Sequence, residues 1–140
     1  MNEDQQIAKY LADETLLYQD WYKGYQQLTA YDPDVVEVSL GELPSIADIK
    51  KYVKDFYVSK QPVIRDILCK KSRYWHFKNK LANQHDLIKH IMAAIITDFA
   101  FFSESAYHAP YHTIFVMTLA SILVAEHYLD ELCAGVAEEG

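Results

Sequence analysis

Residues 83–102, NQHDLIKHIMAAIITDFAFF, and residues 110–135, PYHTIFVMTLASILVAEHYLDELCAG, decide the fold. In the first stretch Ile88, Met92, Ile95, Phe99 and Phe102 recur at spacings of four, three, four and three. Leu87, Ile91, Ala94 and Phe101 add a second stripe. A helix that is apolar over most of its circumference belongs in the middle of a bundle. Asn83 is placed to cap it, with Asp86 in the first turn, where the helix dipole favours an anion. Residues 103–109 read as a turn, and Pro110 as the first residue of a final helix. That helix carries Phe115, Leu119, Ile122, Leu129 and Leu132, and is predicted to stop near Gly135. Ala120, Ser121 and Ala125 are small enough to admit a neighbouring helix closely. Together the two stretches predict a central C-terminal helical hairpin.

Working outward, residues 2–30 read as one amphipathic helix with Ile7, Leu11, Tyr18, Tyr22, Tyr25 and Leu28 on its apolar face, widened by Leu17 and Trp21. Its tyrosines fit a core face at its wet margin, since a phenol keeps one polar tip. Asp32-Pro33-Asp34 is a turn signal; Val36, Val38 and Leu40 then alternate with polar residues, an isolated strand-like pattern read as an extended linker. Ser45 is a natural N-cap for a helix with Ile46, Ile49, Val53, Phe56 and Tyr57 on one face. Pro62 is expected to end or bend that helix, because it lacks the N–H the ladder requires. Val63, Ile64, Ile67 and Leu68 predict a short third helix, and residues 72–82 a loop or its continuation.

Four glycines and four prolines in 140 residues are few for a fold made of hairpins. The expectation is therefore one all-α domain over residues 1–140, a compact bundle of about five helices. Residues 1–6 carry acids and amides where a secretory signal carries basic and then apolar residues. The apolar run 114–125 falls short of the ~20 residues that cross a bilayer. No membrane contact is expected. Cys69 and Cys133 are too few for a disulfide framework or a thiolate zinc site, which makes a cytoplasmic setting the simplest expectation.

The net charge of −7 conceals a strong segregation. Ten of thirteen Lys and Arg lie between Lys50 and Lys80, against Asp55 and Asp66 alone, so that block carries +8. Residues 1–49 hold two bases and ten acids, or −8, and residues 81–140 hold Lys89 and eight acids, or −7. Such a block either offsets its neighbours within the fold or meets an acidic partner, which includes the acidic face of a second copy. Surface pairs contribute only ~0–1 kcal/mol each, so segregation serves orientation and steering more than stability. Inside the block, Lys70, Lys71, Arg73, Tyr74, Trp75, Lys78 and Lys80 interleave cations with rings and are the candidate partner-binding residues. Bases stack on rings while cations hold phosphates in single-strand binding, so nucleic acid is a second alternative partner. The net acidity weighs against it.

The remaining candidates for chemistry are histidines and carboxylates. Asp86, His90, Asp98, His112, Glu126 and His127 could converge between facing helices as a metal or small-ligand site, with enzyme chemistry as its extension. Known patterns fail, however: the chain has no Glu-x-x-His and no His-Glu-x-x-His. It also has no Gly-x-Ser-x-Gly elbow and no glycine-rich phosphate loop, its glycines being isolated. No catalytic residue and no cofactor is therefore assigned. The expected function is a non-enzymatic binding or regulatory module that works through protein–protein contact, with an acidic partner or a second copy, on segment 50–80.

Overall fold

Asp13 divides the first predicted helix in two. The structure, a computed structural model, describes residues 3–29, 43–71, 73–81, 83–96 and 112–135. Within them α1 spans Glu3–Ala12 and α2 spans Glu14–Thr29. The Asp13 N–H donates to the Lys9 carbonyl at 3.1 Å, while its carboxylate accepts from the Leu16 N–H at 3.1 Å. One residue thus closes α1 and caps α2. Tyr10 on α1 donates its hydroxyl to Asp20 on α2 at 2.8 Å, tying the two segments together.

Ser45 caps α3, Ile46–Ile64, by accepting from the Asp48 N–H at 3.2 Å. α3 does not end at Pro62 but runs through it, giving up the N–H that would have met the Val58 carbonyl one turn back. The chain then widens into a π-helical segment, Arg65–Lys71, which buries Ile67, Leu68 and Cys69. The predicted third helix is this wider continuation of α3. Arg73, with a left-handed backbone (φ 52°), separates it from α4, Tyr74–Lys80. Asn83 then accepts from the Asp86 N–H at 2.9 Å at the start of α5, Gln84–Ile96.

The predicted final helix is also two: α6, His112–Ala125, and α7, Tyr128–Leu132, broken where His127 turns left-handed (φ 60°). All seven α-helices of the described residues belong to one helical body, and α6 is its centre. Every residue from Phe115 to Val124 is buried. α2 and α5 lie along α6, and α1 and α7 also pack against it, while α3 packs on α2 and on the π-helical segment. The polar side chains inside α6 satisfy themselves: Thr118 donates to the Ile114 carbonyl at 2.9 Å and Ser121 to that of Met117 at 2.8 Å. Residues 31–42, Asp98, Phe99, Phe101, Phe102 and Pro110 lie outside the described residues, as does the chain joining α5 to α6.

Two features lock α2, α3 and α6 together. Gly24 faces the backbone of α6: a Cβ there would stand 3.1 Å from the Phe115 Cβ and 3.2 Å from its Cα. Beside this approach sits an aromatic cluster. Trp21 stacks on Tyr25 with centroids 4.9 Å apart and meets Phe115 at 5.8 Å and Phe56 at 6.2 Å. With Tyr10, Tyr18 and Tyr22 also buried, the tyrosine stripe is a core face. A disulfide joins Cys69 of the π-helical segment to Cys133 beyond α7, with Cα atoms 5.3 Å apart and both residues buried. No helix of the described residues is long and apolar enough to cross a membrane.

Candidate protein-binding surface

The basic block occupies α3, the π-helical segment and α4, and the structure divides its cations into two sets. Three of the ten make ion pairs among the described residues. Lys50 reaches Glu14 on α2 at 2.6 Å, Lys71 reaches Asp66 at 3.6 Å, and Lys78 pairs with Asp130 on α7. The other seven, Lys51, Lys54, Lys60, Arg65, Lys70, Arg73 and Lys80, meet no carboxylate within 4.0 Å among the described residues. Among the described residues, therefore, carboxylates meet three of the ten cations of the block. Lys51, Lys54, Arg65, Lys70 and Lys80 are exposed.

The candidate residues of segment 70–80 do not act as one strip. Tyr74 is buried and donates its hydroxyl to Asp130; burial first, and then that carboxylate, push its pKa far up. Trp75 donates its indole N–H to the Cys133 carbonyl at 2.7 Å. The Lys78 ammonium lies 5.3 Å from the Trp75 ring centroid and 5.8 Å from that of Tyr74. These three anchor α4 to α7, at a junction that the neighbouring disulfide also crosses. Phe77 stacks on His90 of α5 with centroids 4.0 Å apart. Tyr74 is thus buried, while Trp75 and Phe77 are half-buried and each engaged with another part of the fold. Lys70, Lys71 and Lys80 are exposed, whereas Arg73 is half-buried and its Nε is buried with no hydrogen-bond partner among the described residues.

A second basic feature, not singled out by the sequence, lies on α3. Lys50, Lys51, Lys54 and Asp55 line an open depression of about 300 Å³ together with Tyr128 of α7. The Tyr128 ring rests on Tyr57 at 4.6 Å between centroids. Its phenol is pushed up by burial and then by Glu126. Glu14 holds Lys50 at one rim and raises its pKa, whereas Lys51 and Lys54 meet no carboxylate among the described residues. Val58, one turn further on, is 52% exposed, unusual for so apolar a side chain. The signal for this patch was present as the spacing Lys51, Lys54, Val58, but only the tertiary fold brings Tyr128 beside it.

The six metal candidates fare differently. Among the described residues no three His, Cys, Asp or Glu side chains gather so as to hold a metal ion. His90 is stacked on Phe77, and His127 is bonded through Nδ1 to Asp130 at 2.9 Å. Asp86 and Glu126 are exposed, while Asp98 and the side chain of His112 lie outside the described residues. No protein-family model, curated protein or solved structure matches this chain.

Proposed function

We propose that this chain is a helical binding module that docks an acidic protein partner on the basic surface of residues 50–80. The observation that carries the reading is the set of seven cations in that block that find no carboxylate among the described residues. Five of them, Lys51, Lys54, Arg65, Lys70 and Lys80, are exposed, and exposed like charges repel one another and steer a partner of opposite charge. A second copy, offering its own acidic flank, is the self-associating form of the same contact. The engagement of Tyr74, Trp75 and Phe77 with other parts of the fold favours a protein over a nucleic acid.

Lys51, Lys54, Lys70 and Lys80 are the residues through which the contact is tested, because all four are exposed and unpaired among the described residues. Lys78 is left in place, since a glutamate there would face Asp130. Immobilised protein should capture from native lysate a protein that survives nuclease treatment and elutes with salt. The fourfold Lys→Glu variant, with an unchanged melting profile, should lose it. Identical capture by both forms, or capture of nucleic acid alone, would overturn the reading. A cytoplasmic setting, expected from two cysteines, is harder to reconcile with the disulfide, because such bonds persist where the surroundings oxidise.

A further inference from the structure

Lys51, Lys54 and Val58 lie at i, i+3 and i+7 on α3 and so share one stripe of that helix. All three are exposed, and neither lysine is paired among the described residues. Lys51 and Lys54 line a depression that has Lys50 at one rim, 2.6 Å from Glu14, and Tyr128 as its aromatic wall, and Val58 stands one helical turn beyond Lys54. Among the described residues Asp55 is the carboxylate that lines it, and Glu126 lies near enough to act on both Lys50 and Tyr128. We propose that this stripe and depression form the docking site for an acidic peptide segment: two carboxylates engage Lys51 and Lys54, and an apolar side chain lies against Val58 and the Tyr128 ring.

Each part of the occupant answers a feature of the site. Residues three apart on a helix hold their Cβ atoms about 5–6 Å apart, a span that neighbouring acidic side chains of an extended peptide can match. The Glu14–Lys50 pair already occupies one rim, which leaves Lys51 and Lys54 as the cations that carboxylates would meet. A phosphate or nucleic-acid backbone would satisfy the lysines, but it brings no apolar group for Val58. Asp55 adds a repulsive element against an occupant with unbroken negative charge. The inference rests on the acidic-partner reading above and narrows it from the whole block to α3.

The test uses the full chain and a fluorescein-labelled decapeptide of glutamates with one central leucine, followed by anisotropy at low salt. Wild type should bind, and binding should weaken with added salt. Lys51→Glu with Lys54→Glu should raise Kd about tenfold or more, while Lys70→Glu with Lys80→Glu should change it by less than about twofold. Val58→Asn should weaken the leucine peptide and leave an all-glutamate peptide unchanged. Inorganic phosphate at millimolar concentration should not compete. If the Lys70/Lys80 variant loses affinity as much as or more than the Lys51/Lys54 variant, the α3 site is wrong and the broader reading survives. If wild type binds no acidic peptide, both fall. Competition by phosphate, or indifference of the leucine peptide to Val58→Asn, overturns the peptide assignment. Far-UV melting of each variant verifies the fold.

Discussion

At Asp130 donors from one helix and one turn meet a single carboxylate: the Tyr74 hydroxyl and Lys78 ammonium of α4, and His127 just before α7. Burial works to raise the Asp130 pKa, but donation from Lys78, Tyr74 and His127 outweighs it, and the group titrates below its ordinary value. Because the folded pKa is depressed, its contribution is present above the unfolded value of about 3.9 and is lost as the pH falls through and below it. Replacing Asp130 with Asn should lower stability by about 2 kcal/mol at neutral pH. It should also flatten the acid limb of the stability profile, read from urea midpoints at a series of pH values. Tyr74 and Lys78 were expected to face a partner, and nothing in their local sequence distinguishes a ring or cation that points inward. The acceptor lies fifty residues or more away, so the pairing is a product of the fold.

Among the elements, α6 and its contact with α2 matter most. The helix is buried along Phe115–Val124, and its sequence announces this, since an apolar run with small residues has no polar face to turn outward. The partner's closest approach, Gly24, was not announced. A glycine within an amphipathic helix usually only weakens it, by about 1 kcal/mol relative to alanine. Here the missing Cβ lets the two helices meet, and any added atom would press on the Phe115 main chain. Gly24→Val is therefore expected to destabilise by about 2 kcal/mol or more despite its side chain being apolar, measured as a shift of the guanidinium midpoint. The breaks at Asp13 and His127 belong to the same scale. Asp13 is a legible cap once a break is suspected, because its side chain reaches the Leu16 N–H. A left-handed histidine carries no such signature and is chosen by how α7 must lie to bring Asp130 to α4.

For the whole molecule, the Cys69–Cys133 bond closes a loop across 64 positions and holds the π-helical segment of the basic block to the turn after α7. Constraining an unfolded loop of that length contributes about 4 kcal/mol. The Cys69→Ala, Cys133→Ala protein should lose stability of that order in guanidinium titration. With both cysteines buried, a small thiol should leave the native bond intact until denaturant is added, as alkylation under each condition would show. The count of two cysteines could not say whether they pair, because pairing needs Cα atoms within reach, and reach is tertiary. By itself the sequence determined the all-helical class, most of the buried faces, the caps at Ser45 and Asn83, and the segregation of charge. Those depend on periodicity, local hydrogen bonding and composition, which act over a few residues. Only the tertiary structure decided which carboxylates Lys50 and Lys78 meet, that Tyr74 turns inward, and that Tyr128 comes to stand beside Lys51 and Lys54. Each of these depends on groups far apart in the chain, whose meeting is set by how α6 is wrapped.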